Sequence, residues 1–186
     1  VYAGLINKNL TARLQAAGCN AIGLCGADGN LLQTKKRSGT ATDYGFAGDC
    51  FPGSVNESLL NQLLRTGFVP VIAPITHDGN GQLLNTNADT IAAETGIALS
   101  GTFETTLIYC FEKNGVLENI NDDNTIISKI DAAGFALLKE KEIISKGMLP
   151  KLENALRARQ YVKQVLIMHP RFIGGSETDP KTEIVL

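Results

Sequence analysis

"FVPVIAPI", residues 68–75, is the stretch on which the fold turns. It is a continuous apolar run of strand length, the composition of a strand buried on both faces inside a parallel sheet. Pro70 and Pro74 each remove a ladder donor, so the pairing is expected to begin or end near them. Just upstream, "VNESLLNQLLRTG" (55–67) places Leu59, Leu60, Leu63 and Leu64 on a helical stripe and closes on Gly67. Just downstream, "HDGNGQ" (77–82) is turn chemistry, and "NADTIAAETGIALS" (87–100) reads as a helix.

The alternation continues in both directions. "TTLIYCF" (105–111) is a second buried strand and "KNG" (113–115) a turn. Helices are predicted over roughly 131–145 and 148–160, then strands at "QVLIM" (164–168) and "TEIVL" (182–186). Toward the start, residues 2–17 carry Leu5, Leu10 and Leu14 in a helical pattern that ends at Gly18. "NAIGLCG" (20–26) is a short buried strand closed by a turn at Ala27-Asp28-Gly29. Residues 30–53 are polar, β-prone and punctuated by glycine, as hairpins are. Alternating β and α elements predict an α/β fold, a mainly parallel open sheet sandwiched by helices. No internal repeat or low-complexity segment interrupts it.

Composition narrows the function classes. The 186 residues are 44% hydrophobic and 19% charged, with a formal net charge of −2. That balance leaves no global basic field for nucleic acid or an anionic membrane surface. No apolar run approaches the roughly 18–20 residues of a spanning helix. No signal-peptide pattern opens the chain, so a cytosolic protein is expected. Cys19, Cys25, Cys50 and Cys110 form no CxxC pair and read as reduced thiols. His77 and His169 have no cysteine or carboxylate pair at ligand spacing, so no metal site is expected from protein side chains. Both are assigned loop or structural roles. "KKR" (35–37) reads as a solvated hairpin rather than a phosphate patch.

Three stretches carry chemistry. In "LLNTNADTIAAE" (83–94), Asn87 is a good helix N-cap and Asp89 suits the first turn. Asn85 lies two residues earlier, and in extended chain i and i+2 point to one side. The two amides serve capping alone, or face a ligand together at the carboxyl end of a strand. In "LIYCFEKNGVLEN" (107–119) a buried strand runs into a charged turn, which is ordinary turn chemistry or a ligand loop. In "SKGMLPKLENAL" (145–156), Gly147 reads as the loop, Pro150 as an early helical residue, and Leu149, Leu152 and Leu156 as the buried stripe. Lys151 then sits in the first turn, where a cation opposes the helix dipole at a few tenths to about 1 kcal/mol. A solvated surface lysine is one reading. An anionic phosphate at the helix N-terminus is the other, with backbone N–H groups and the ammonium converging on it.

In that order, "LLNTNADTIA", "EKNGVL" and "GMLPKLENAL" resemble the acetylglutamate kinases of the amino-acid kinase superfamily. "GLCGADGN" (23–30), "DYGFAGD" (43–49), "LLRTGFVPVIAPI" and the closing "TEIVL" are similar to that family as well. The resemblance implies a three-layer αβα fold and phosphorylation of the γ-carboxylate of an N-acylated glutamate by Mg²⁺-ATP, in arginine biosynthesis. It implies that Asn85 and Asn87 hold the acyl-glutamate, that Asp89 organises catalytic lysines, and that Lys151 meets the transferring phosphoryl group. Phe111, Glu112, Lys113, Gly115, Gly147 and Met148 would surround the nucleotide. Residues 1–101 would belong to the acyl-amino-acid and dimerisation lobe, and 102–186 to the nucleotide lobe. A homodimer is expected on the same ground. An N-succinylglutamate kinase, another amino-acid kinase, or a non-catalytic nucleotide-binding domain are the alternatives. The family's opening glycine-rich turn with its phosphate-binding lysine does not precede Val1, so the fold is expected to be incomplete at its N-terminus and the chain inactive by itself. Lys181 stands where the family usually has glycine.

Overall fold

The structure is a computed structural model and describes every residue except 40–41 and 145–146. The chain divides into two compact units, Val1–Thr102 and Phe103–Leu186.

The first unit opens with a π-helical turn, Tyr2–Ile6, continuous with helix α1, Asn7–Ala16. Strand β1, Ala21–Leu24, follows, then β2, Lys35–Lys36, and β3, Ala47–Asp49. Helix α2, Glu57–Arg65, precedes β4, Val69–Ile72, β5, Ile75–His77, and β6, Leu83–Thr86. Helix α3, Ala88–Leu99, closes the unit. The apolar run 68–75 is therefore two strands, not one. β4 pairs in parallel with β1, from Ala21 opposite Val69 to Leu24 opposite Ile72. The N–H groups of Val69 and Ala73 donate to Asn20 and Leu24 of that neighbour. Pro70 lies between them, where the backbone nitrogen faces away from β1, so it sits inside the ladder without breaking it. Pro74 does end the pairing. Beyond it, β5 joins a second sheet in the order β2-β3-β6-β5.

Leu31, Leu32, Leu60 and Ile91 form the core of this unit, with Leu24, Val55, Leu59, Ile72 and Leu99 packed around them. α1 departs from the expected stripe. Asn7 is buried and donates from Nδ2 to the Val71 carbonyl at 2.8 Å, while Leu5 and Leu10 are 65% and 47% exposed. A polar face turned toward the strands leaves the apolar residues outside.

The second unit comprises β7, Thr106–Cys110, β8, Lys129–Ile130, helix α4, Ala132–Glu140, helix α5, Met148–Arg159, β9, Gln164–Met168, and β10, Thr182–Ile184. Its sheet runs β7-β9-β10-β8, and α5 packs against β9 and β10. The stripe of α5 is Met148, Leu152, Ala155 and Ala158, with Leu149 and Leu156 only partly covered. α4 closes at Glu140, and the helix end expected at Ser145 lies outside the described residues. Parallel pairs β3–β6, β7–β9 and β8–β10 coexist with antiparallel β2–β3, β5–β6 and β9–β10, so the two four-stranded sheets are mixed, while the β1–β4 pair is parallel. Among the described residues no helix is long and apolar enough to cross a membrane.

Candidate functional site

In the first unit, β6 delivers the paired asparagines. Its burial alternates, with Leu84 and Thr86 inward and Leu83 and Asn85 outward. Asn87 follows on the exposed side and caps α3, its Oδ1 accepting from the Thr90 N–H at 3.1 Å. Capping thus accounts for one amide of the pair, while Asn85 is held through its backbone, which donates to the Phe46 carbonyl at 2.7 Å. Asp89 is half-buried in the first turn of α3. Beneath the strand, three buried hydroxyls meet. Thr76 Oγ1 lies 2.7 Å from Thr34 Oγ1 and 2.8 Å from Thr86 Oγ1. A Cβ on Gly48 would stand 2.6 Å from the Thr86 oxygen and 2.7 Å from that of Thr34, so only glycine leaves room for the cluster.

In the second unit, the loop that leaves β7 and the N-terminus of α5 carry the remaining candidates. Phe111 extends the β7–β9 ladder by donating its N–H to the Met168 carbonyl at 2.9 Å. Glu112 is exposed, and Lys113 pairs with Asp123 at 2.7 Å. Gly115 is buried and tightly packed. The Val116 N–H donates to Thr182 Oγ1 at 2.8 Å, and a Cβ on Gly115 would stand at that same distance from the oxygen. Packing on β10 is reason enough for glycine there.

Gly147 is the N-cap of α5, and a Cβ there would meet nothing within 4 Å. Met148 is buried at the first helical position and Pro150 is the third. The first four helical N–H groups have no intrahelical acceptor, so Pro150 removes none that was in use. Lys151 comes next, half-buried, with its Nζ 4.9 Å from the centroid of the Tyr109 ring. Tyr109 belongs to β7 and is 3% exposed. A cation over an aromatic face gains about 0.5–2 kcal/mol, which matches or exceeds the dipole penalty. Tyr109 was not legible as a site residue, because spacing along the chain carries no sign of a contact between a strand and a later helix.

Outside these clusters, Arg37 is bound through Nε and Nη2 to Asp49, and that contact raises its pKa. The Asp78 carboxyl lies below its ordinary range because the N–H groups of Asn80 and Gln82 donate to it. Among the described residues no group of three or more His, Cys, Asp or Glu is placed to hold a metal ion. A Mg²⁺ ion held mainly by nucleotide phosphates and water needs no such cage.

Each α/β unit carries one group of these candidates, the paired amides at the end of β6 in the first and a lysine at a glycine-led helix start in the second. The chain belongs to the amino acid kinase family, whose sequence profile matches residues 1–169. It is 54% identical to the acetylglutamate kinase of Parabacteroides distasonis over 168 residues, covering 90% of this chain and 65% of that protein. The chain thus spans about 65% of the length of that relative. Among solved structures it is similar to smu.665 of Streptococcus mutans, with a TM-score of 0.79 at 26% identity, over 99% of this chain and 68% of that one. It is also similar to Giardia carbamate kinase, with a TM-score of 0.65 at 12% identity, over 98% of this chain and 69% of that one. The fold is therefore the three-layer αβα fold of the amino-acid kinases.

Proposed function

We propose that the protein is an N-acetyl-L-glutamate kinase of arginine biosynthesis, which transfers the γ-phosphoryl group of ATP to the substrate γ-carboxylate. The observation that carries this reading is the 54% identity to a protein of that name across 90% of the chain. In the reaction a carboxylate oxygen bonds to the γ-phosphorus, the bridge to the β-phosphate breaks, and ADP leaves with the electron pair. The nucleophile is already ionised, so no general base is required. The task is to align and neutralise anions, which suits amides, lysines and Mg²⁺ carried on the phosphates.

In this reading Asn85 and Asn87 bind the acyl-glutamate, and Lys151 neutralises charge on the phosphoryl group. Asp89 orders cationic groups, since a carboxylate touching the phosphate itself would repel it. Gly147 and Met148, with Phe111, Glu112, Lys113 and Gly115, border the nucleotide. A second copy of the chain is the partner proposed for the exposed apolar segment of Tyr2, Leu5, Ile6 and Leu10, since apolar surface of that extent is usually covered. The test is coupled ADP release by the protein expressed from its complete reading frame, with N-acetyl- and N-succinyl-glutamate compared. Release that depends on acetyl-glutamate and falls at least about 100-fold in Lys151→Ala is expected for a group acting on the transition state. Release indifferent to either acyl-glutamate refutes the reading.

A further inference from the structure

We propose that Tyr109 is a positioning residue, whose ring face holds the Lys151 ammonium where the nucleotide phosphates arrive. The inference rests on the kinase reading for the identity of the anion, but the contact itself is independent of it. Tyr109 sits in β7 opposite Ile167 of β9, and its neighbours on that face, Leu107, Val165 and Ile167, are aliphatic and buried. A leucine would fill such a place as well. What a tyrosine adds is a π face, and Lys151 Nζ lies 4.9 Å from its centroid.

The choice of a ring has a chemical reason. A lysine side chain is flexible, and an ammonium that must first be ordered contributes less to binding than one already in place. A ring attracts the cation through its quadrupole with no net charge. It also offsets the repulsion between Lys151 and the positive end of α5. The ammonium is thereby oriented in advance toward an anion.

The experiment uses the protein from its complete reading frame and reads the lysine ε-methylene signals by ¹H–¹³C NMR, with Lys151→Arg assigning the peak. In the wild type the Lys151 signal is expected upfield of solvated lysines through the ring current. Tyr109→Phe keeps that shift, and Tyr109→Leu abolishes it. ATP affinity and ADP release are measured on the same proteins. Both are expected to fall roughly 3- to 30-fold in the leucine variant and to stay near wild type in the phenylalanine variant, with KM for the acyl-glutamate unchanged. Tyr109→Met fills similar volume without a π face and replaces the leucine variant where that one does not fold. A wild-type Lys151 signal among the solvated lysines overturns the proposal. So does equal loss of ATP affinity in the phenylalanine and leucine variants. If the shift pattern and the order of ATP affinities hold while no acyl-glutamate promotes ADP release, the acceptor assignment fails and the role of Tyr109 stands.

Discussion

Replacing Thr76 by valine tests whether the buried hydroxyls of the first unit are a structural device or an incidental contact. Thr76 is fully buried, and its Oγ1 is the centre of the cluster, reached by Thr34 at 2.7 Å, Thr86 at 2.8 Å and the Leu84 carbonyl at 3.3 Å. Thr34 and Thr86 are themselves 1% and 3% exposed, so water does not readily replace the lost partner. Each buried polar group left unsatisfied costs about 1–3 kcal/mol. The valine methyl would also occupy the place of an oxygen that has two neighbours closer than 3 Å, whereas carbon and oxygen settle at about 3.3–3.6 Å. The expected loss is about 2–4 kcal/mol, near 5–15 °C in Tm at about 2–4 °C per kcal/mol for a chain of this size. Thr76→Ser keeps the hydroxyl and removes one methyl, for about 1 kcal/mol. Urea unfolding followed by circular dichroism, with amide exchange at Thr34 and Thr86, separates the two. A serine variant as unstable as the valine variant, or less stable, would mean that apolar filling rather than hydroxyl pairing holds this sheet together.

Gly115→Ala brings a Cβ to 2.8 Å from Thr182 Oγ1 and 3.1 Å from its backbone nitrogen, so the turn must move off β10. A loss of about 1–3 kcal/mol and faster amide exchange at Val116 are expected. Asn87→Ala removes the cap of α3 and should cost about 1 kcal/mol in chemical denaturation. Asp78 has a depressed pKa in the folded state, so its stabilisation is present above the unfolded-state value of about 4 and is lost as pH falls through the folded one. Asp78→Asn is therefore expected to lower stability in the neutral region and to flatten the acid limb of a stability–pH curve, with the acid end nearly unchanged. Asp49→Asn removes an exposed ion pair with Arg37 and should cost under about 1 kcal/mol at low salt, less at high salt.

The elements that could be read along the chain are those whose signals are local. Asn87 announces the start of α3 because a cap is made within three residues. Gly67, at φ 82°, ends α2 because a left-handed residue after a helix favours glycine. Where pairing is between distant segments, local signals fail. β8 is two residues long, and its partner is the closing strand β10, so nothing within Lys129–Ile130 marks it as a strand. The run 68–75 looks like one strand because hydrophobicity does not record that β4 and β5 belong to different sheets. In α1, periodicity points to the leucines, yet Asn7 faces the sheet because a carbonyl of β4 accepts from its amide.

The same distinction explains what was legible of the candidate site. Asn85 and Lys151 stand out because each departs from what its local element requires: a polar residue after two leucines, or a cation at the positive end of a helix. Gly115 and Lys113 stand out equally along the chain, but local packing and the pair with Asp123 account for both. Lys151 is different in kind. The Tyr109 ring removes the energetic objection to a cation at that helix end. A pair of this type stabilises the position of the charge through the ring quadrupole, without adding net charge. That is why a strand residue only 3% exposed belongs in an account of how the Lys151 ammonium is positioned.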